Sequence, residues 1–294
     1  MSSSPAPSGR PLTAPAIRSR KVRSGAAPLV MVTAYDAPGA RIADEAGVDM
    51  ILVGDSLAMV VLGYEDTLQV TVDDIAHHTA AVARAKPKPF IVADLPWMSY
   101  HVSVEDTVRN AATLIRAGAQ AVKLEGGRKR LRMVEALVDA EIPVMGHIGL
   151  TPQSVHAMGG FKVQGRSFEA ARALVDDAKA LSHAGCFALV LEGVPDEVAR
   201  MVTDAVQIPT VGIGAGPDCD GQVLVFHDLL GFEDRIAPKF VRRYASLKDD
   251  AVKAMGAFAA DVRGGQFPAD GESYHLSAEV SETLHLYGSG ASRS

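Results

Sequence analysis

The stretch Ala121-Val122-Lys123-Leu124-Glu125-Gly126-Gly127 decides how this chain folds. A short apolar run ends in a lysine and an acid two positions apart, and two glycines follow. Alternate residues of a β-strand share a face, so Lys123 and Glu125 point the same way. Charge buried at a strand end is costly unless something uses it. Two readings are open on these residues alone. One is a surface ion pair, which contributes little. In the other, Glu125 holds a metal and Lys123 meets an anionic substrate.

The same grammar recurs on both sides of this stretch. Apolar, β-branched runs occupy 29–34, 50–53, 90–93, 121–124, 143–146, 188–191 and 210–213. Helix-like segments lie between them at 38–46, 72–85, 104–117, 131–140, 168–184 and 196–206. Thr71 precedes one of these, with Asp73 and Asp74 in the first turn, where acids suit the helix dipole. Ser103 is placed to cap the start of another, which closes at Gly118. Strands alternating with helices at this pitch form βαβ units and a parallel sheet. Seven units are evident. For the eighth, either 223–227 is the strand, or 220–230 is a helix and 238–241 the strand. The second assignment is preferred, because 247–262 then supplies the last helix. Eight units predict an α/β fold, a (β/α)8 TIM barrel of eight parallel strands. A doubly wound sheet is the alternative, but the first strand–helix turn, Ala34-Tyr35-Asp36-Ala37-Pro38-Gly39, carries no Gly-rich dinucleotide fingerprint. Residues 1–27, rich in Ser, Pro, Gly, Arg and Ala, read as a disordered or loosely attached arm. Residues 28–276 form the catalytic barrel domain and 277–294 a flexible tail.

Composition narrows the function classes. The 294 residues are 48% hydrophobic and 22% charged, an ordinary globular balance. The net charge is −6 and no long basic block is present, so no nucleic-acid partner is expected. The cluster Arg128-Lys129-Arg130 with Arg132 reads as a solvated helix start. Two cysteines far apart, Cys186 and Cys219, suit a reducing compartment and a cytoplasmic location. No apolar run reaches the roughly 20 residues of a membrane span, and the N-terminus has no apolar core of a secretory signal.

Barrel enzymes gather chemistry at the C-terminal ends of their strands. Here strand two ends in Gly54-Asp55-Ser56, strand three in Asp94-Leu95-Pro96, strand four in Lys123-Leu124-Glu125, strand five in Gly146-His147, strand six in Glu192, and strand seven in Gly212-Ile213-Gly214-Ala215-Gly216. Any one of these acids alone reads as a loop-starting cap; five consecutive strands delivering ionisable groups at matching positions do not. Asp55, Asp94 and Glu125 form an oxygen-ligand set of the kind that favours Mg²⁺. Glu192 arrives from a distant strand, outside that set, and is available as a general base. His147 orients an anion, carries a proton, or is a buried histidine bonded to backbone. Lys123 is a Schiff-base nucleophile or a cation for a carboxylate, and a metal beside it favours the second. The segment Gly159-Gly160-Phe161-Lys162-Val163-Gln164-Gly165-Arg166 reads as a lid, an anion-binding flap or a plain surface loop. His77 and His78 lie in a helix pattern and read as surface or packing features.

Taken together, these motifs resemble the ketopantoate hydroxymethyltransferase family. The matching stretches are Thr33-Ala34-Tyr35-Asp36, Leu52-Val53-Gly54-Asp55-Ser56, Ala93-Asp94-Leu95-Pro96, Val122 to Gly127, Gly146-His147-Ile148-Gly149-Leu150-Thr151-Pro152-Gln153-Ser154, Gly159 to Arg166, Gly212 to Gly216, and Asp220-Gly221-Gln222-Val223-Leu224-Val225. The likeness spans roughly 29–270. It implies a (β/α)8 barrel assembled as a homodecamer, a pentamer of dimers, that uses Mg²⁺. It implies transfer of a one-carbon unit from 5,10-methylenetetrahydrofolate to 3-methyl-2-oxobutanoate, through a metal-stabilised enolate, giving 2-dehydropantoate on the route to pantothenate and coenzyme A. On this sequence the family's metal positions fall on Asp55, Asp94 and Glu125. Its keto-acid contacts fall on Asp55, Ser56, Asp94 and Lys123, with His147 nearby, and its proton acceptor on Glu192. Two departures bear on pocket shape: Trp97 stands where the family usually has Phe, and Gly193 where a larger residue is common.

Two other classes remain. A barrel with Mg²⁺ and a 2-oxo acid also suits lyases and mutases of the phosphoenolpyruvate type, which need no folate. A non-catalytic, scaffold-like barrel is the third, and the complete set of strand-end residues argues against it.

Overall fold

A computed structural model describes residues 12–232 and 238–288. Eight parallel strands close into a barrel in sequence order, with the last hydrogen-bonded to the first. They are β1 (Leu29–Thr33), β2 (Met50–Val53), β3 (Phe90–Asp94), β4 (Ala121–Glu125), β5 (Val144–Gly149), β6 (Ala188–Glu192), β7 (Thr210–Ile213) and β8 (Gly221–Leu224). Helices Ala37–Glu45, Val72–Arg84, Val104–Arg116, Leu131–Asp139, Phe168–His183 and Asp196–Ala205 follow successive strands. The expected caps are in place. Thr71 and Asp74 exchange hydrogen bonds with each other's backbone in a capping box, and Ser103 Oγ accepts from Asp106 N–H at 3.0 Å. The TIM-barrel reading is correct.

Strand periodicity divides the core in two. Val122, Leu124, Val144 and Ile148 pack outward against helix residues such as Ile75, Leu114, Leu137 and Leu181. The alternate positions, among them Met50, Phe90, Val92, Ala121, Met145 and Val190, form a separate interior cluster. The interior sequence therefore runs Phe90, Val92, Asp94 on β3, Ala121, Lys123, Glu125 on β4, Met145, His147 on β5, and Ala188, Val190, Glu192 on β6. Apolar layers fill the base, and the topmost inward layer is ionic.

The eighth strand corrects the preferred sequence assignment. It lies at Gly221–Leu224, is followed by a short helix at Phe226–Leu230, and 238–241 forms a turn. Pairing in register with β1 decides the matter, from Leu29↔Gly221 to Val32↔Leu224. Gly221 permits the approach, because a Cβ there would lie 2.5 Å from the Leu29 carbonyl oxygen. The helix Leu247–Arg263 exists, but it belongs to a second compact unit that begins at Ser246, so the barrel unit ends before residue 276. The expected tail contains a helix at Ala278–Gly288; its last residues, 289–294, lie outside the described residues.

The segment expected to be a loose arm is packed over its described part. A turn of helix at Ala14–Arg18 puts Ile17, with no exposed surface, into the interior cluster at the barrel's base. Lys21 follows into a buried ion pair with Asp220, the residue before β8. Its ammonium also donates to the Thr203 and Ile208 carbonyls, at 2.9 and 3.3 Å. Asp220 accepts in addition from the backbone N–H groups of Val22 and Thr210. Residues 1–11 lie outside the described residues.

This latch has a measurable weight. Lys21→Met strands a buried carboxylate without its cation, which costs about 3–5 kcal/mol when one partner of a buried pair is removed. Guanidinium denaturation of the variant is expected to show a loss of that size; a change below about 0.5 kcal/mol would refute the latch.

Candidate active site

The ionic layer is set by register. Asp94 and Lys123 are directly opposed on β3 and β4, and Glu125 and His147 on β4 and β5. Opposed inward residues of adjacent strands stand close enough to pair. Lys123 Nζ lies 2.8 Å from Asp94 Oδ1, and His147 Nδ1 lies 3.4 Å from Glu125 Oε1. The far side of the same imidazole, Nε2, stands 3.3 Å from Glu192 Oε2 on β6. Asp55 enters from the turn after β2: its backbone N–H donates to Asp94 Oδ2 at 3.0 Å. Ser56 Oγ shares a hydrogen bond of 2.9 Å with the Tyr35 hydroxyl. All seven predicted site residues line one cavity of about 850 Å³. Lys123 and Glu125 share a face, yet each pairs with a different neighbour.

The electrostatics follow from burial and crowding. Burial, then the charges of Asp94 and Glu125, push the Asp55 carboxyl well above its ordinary range. Burial also raises Asp94, against the pull of Lys123. Burial works against the Glu125 anion too, but His147, Lys123 and the Gln153 N–H outweigh it and hold Glu125 below the usual range. Burial would depress Lys123, yet Asp94, Glu125 and Asp55 together hold it above its ordinary value. For His147, burial and the Lys123 charge push down, while hydrogen bonds to Glu125 and Glu192 prevail and raise it to about 9. Its Nδ1 proton therefore belongs to Glu125, and the 3.3 Å approach of Lys123 Nζ to Nδ1 is a contact between like charges.

Four carboxylates thus face two cations, and the deficit is largest at Asp55 and Asp94. Asp94 Oδ1 and Glu125 Oε1 are buried and face one cation each, Lys123 and His147, with no further hydrogen bond. Oxygen donors with uncompensated negative charge suit a hard divalent cation. Among the described residues no three such groups converge into a ready-made cage.

The profile of the ketopantoate hydroxymethyltransferase family matches residues 12–270. The chain belongs to that family. It is 56% identical over 260 residues to the 3-methyl-2-oxobutanoate hydroxymethyltransferase of Koribacter versatilis, covering 88% of each chain. It is 55% identical over 264 residues to that of Moorella thermoacetica, covering 90% of this chain and 97% of the relative. The chain is accordingly an enzyme of the transferase class. Among solved structures it resembles phosphonopyruvate hydrolase, with a TM-score of 0.59 at 15% identity over 94% of this chain and 96% of the other. It also resembles 2,3-dimethylmalate lyase, with a TM-score of 0.57 at 18% identity over 94% and 100%. At such identities the likeness concerns the fold alone.

Phe161 and Val163, from the Gly159–Arg166 loop, and Ile213, Gly214 and Gly216, from the loop after β7, line the cavity. Of the two departures from the family pattern, Gly193 lines the wall and Trp97 does not. His77 and His78 are not among the lining residues; His78 Nδ1 meets the Tyr35 carbonyl at 2.6 Å. Sequence reasoning assigned no role to Gln153 or Tyr100. Gln153 Nε2 donates to Asp55 Oδ2 at 2.8 Å, and its backbone N–H donates to Glu125 Oε2 at 3.0 Å. The Tyr100 hydroxyl donates to Gln153 Oε1 at 2.6 Å. Gln153 sits inside the long matching run after β5, which was the available signal. No periodicity reveals that a residue in a turn reaches back to two other strands.

A titration checks the charge assignment. In metal-free protein the His147 ring is expected to be an imidazolium at pH 7.5 and to lose its proton near about 9, as read by nitrogen NMR. Its folded-state value lies above the unfolded value of about 6.5. The stabilisation is therefore complete below pH 6.5 and lost as pH rises through 9. A ring that titrates near 6.5 would contradict the arrangement.

Proposed function

We propose that this enzyme transfers a hydroxymethyl group to 3-methyl-2-oxobutanoate, giving 2-dehydropantoate for pantothenate and coenzyme A synthesis, with 5,10-methylenetetrahydrofolate as donor and Mg²⁺ as cofactor. The names carried by relatives above half identity support the acceptor. The observation that carries the chemistry is the position of Glu192. It faces the same cavity as Asp55, Asp94 and Glu125, but His147 stands between it and Glu125.

The chain's own groups supply the following. Lys123 and Ser56 meet the carboxylate of the keto acid. Lys123 is held protonated by Asp94, so it serves as a cation and not as an amine nucleophile. Asp55, Asp94 and Glu125 would hold the metal, directly or through water, and a bound Mg²⁺ would supply the Lewis acidity that makes the C3–H beside the keto group acidic. Glu192 takes the C3 proton, with the His147 ring 3.3 Å from its carboxylate. The carbanion at C3 forms the new C–C bond to the methylene carbon of the donor as one of that carbon's two C–N bonds opens. The second C–N bond then breaks and tetrahydrofolate leaves; its two nitrogens take up the proton that Glu192 removed and one proton of a water molecule, whose oxygen stays on the carbon as the hydroxyl. The outer cavity, walled by Met59, Val60, Phe161, Val163 and Phe240, is apolar and larger than the keto acid needs, which supports a bulky second substrate there.

Glu192→Gln keeps size and hydrogen bonding but removes the base. In D₂O with 3-methyl-2-oxobutanoate, Mg²⁺ and no folate, the parent enzyme is expected to exchange the C3 proton. The variant is expected to lose about 10²–10⁴-fold of that rate while still binding the keto acid. Undiminished exchange would remove Glu192 from the role. Turnover without any folate would favour a lyase or mutase reaction instead.

Cytoplasmic location and assembly as a homodecamer belong to the same reading. Exposed apolar side chains near the strand-end loops, including Tyr64, Met98 and Val102, support association. Sedimentation is expected to give a particle of ten 30.9 kDa chains; a monomer would exclude it.

A further inference from the structure

Behind the carboxylates lies a polar chain that the proposed chemistry does not use. Tyr100 is 1% exposed and Gln153 5%. The Tyr100 hydroxyl accepts from the Glu125 backbone N–H at 3.2 Å and donates to Gln153 Oε1 at 2.6 Å. The Gln153 amide then spends both of its N–H groups, one on Asp55 Oδ2 at 2.8 Å and one on the Leu95 carbonyl at 3.0 Å. Only this orientation of the amide works. Reversed, Oε1 would face a carboxylate and a carbonyl, lone pair against lone pair, and the amide nitrogen would face a hydroxyl already receiving a proton from Glu125 N–H. The amide and the tyrosine therefore fix each other. The Arg130 guanidinium lies over the Tyr100 ring at 5.5 Å and holds that ring in turn.

The chain ties two carboxylates from different parts of the barrel to one residue. Asp55 stands after β2 and Glu125 ends β4, and Gln153 holds one by its side chain and the other by its backbone. Each carboxylate keeps one oxygen outside this clamp. Short acidic side chains have free torsions, and like charges in a buried layer drive them apart. A neutral donor between them sets their spacing without adding charge.

We propose that Gln153 is a positioning residue of this active site, one that locks the Asp55 and Glu125 carboxylates in the orientation that receives the cation, with Tyr100 as the residue that locks Gln153. The inference rests on the proposed metal-assisted reaction, and it assigns neither residue a contact with substrate.

The test measures metal affinity separately from turnover. Mn²⁺ binding is followed by electron paramagnetic resonance on the full chain with 3-methyl-2-oxobutanoate present, alongside kcat, KM and thermal midpoint. Gln153→Met is nearly isosteric, keeps the backbone bond to Glu125 and removes both amide donors. It is expected to weaken Mn²⁺ binding about 10–100-fold and to raise KM for the keto acid. Tyr100→Phe leaves the amide free to rotate and is expected to weaken binding in the same direction by less. The double variant is expected to lose less than the sum of the two single losses, because the hydroxyl acts in part through the amide and in part through its own bond to the Glu125 N–H. Lys21→Met destabilises the barrel from its other face and is the control: its Mn²⁺ affinity should equal that of the parent. Should Gln153→Met fail to fold, Tyr100→Phe against the Lys21→Met control carries the comparison alone. Parent-like Mn²⁺ affinity in the amide and tyrosine variants, or equal weakening in the control, overturns the positioning role and leaves the proposed reaction standing. Absence of Mn²⁺ binding by the parent chain overturns the reaction and the inference together.

Discussion

Everything at the mouth of this barrel depends on burying more negative than positive charge. A (β/α)8 interior is ordinarily filled by layers of apolar side chains, and the lower layers here conform, with Met50, Phe90 and Met145 inside. In the top layer the inward positions of β3 to β6 carry Asp94, Lys123, Glu125, His147 and Glu192 instead. A buried ion pair rarely repays its own desolvation, so this layer detracts from stability wherever pairing is incomplete. The apolar layers below and the latch of Lys21 on Asp220 hold the barrel closed while its upper face carries that strain. Sites of this kind are where a sequence gives up local stability for chemistry.

The period-two rule explains why so much was legible. Once 121–125 is a strand, Lys123 and Glu125 must face one way, and the same counting puts Asp94, His147 and Glu192 on the inner face. Register then brings them together without further information. Helix starts were legible for the same local reason: Thr71 and Ser103 satisfy backbone donors within three residues. The eighth strand was not legible, because its evidence is not local. Gly221–Leu224 is short and its outer residues are partly polar, and only pairing with β1 at the opposite end of the chain distinguishes it from a helix. The packing of Ile17 under the barrel has the same character. A Pro- and Ser-rich context reads as disorder, and a single buried isoleucine and one lysine overrule it.

Residues that support the site were the least legible. Gln153 and Tyr100 have no charge and obey no period; the first lies in a single 3-10 turn and the second in a turn after β3. Their importance comes from satisfying groups that other segments present, Asp55 from after β2 and Glu125 from β4. Such residues are found by asking where each buried donor and acceptor goes, a question a sequence cannot answer without coordinates.

The placement of His147 resolves a conflict inherent in a site of this composition. A carboxylate that abstracts a proton must stay out of the shell of a cation that the other carboxylates attract, or its basicity is lost to coordination. Distance alone would require a wider barrel. Here one imidazolium is inserted edge-on, with Nδ1 toward Glu125 and Nε2 toward Glu192, at 3.4 and 3.3 Å. The two carboxylates thus meet opposite nitrogens of one ring. A neutral ring would serve only one of the two, because its second nitrogen would offer a lone pair to a carboxylate. In the proposed reaction, a protonated His147 would therefore stand between the carboxylate Glu125 and the base Glu192.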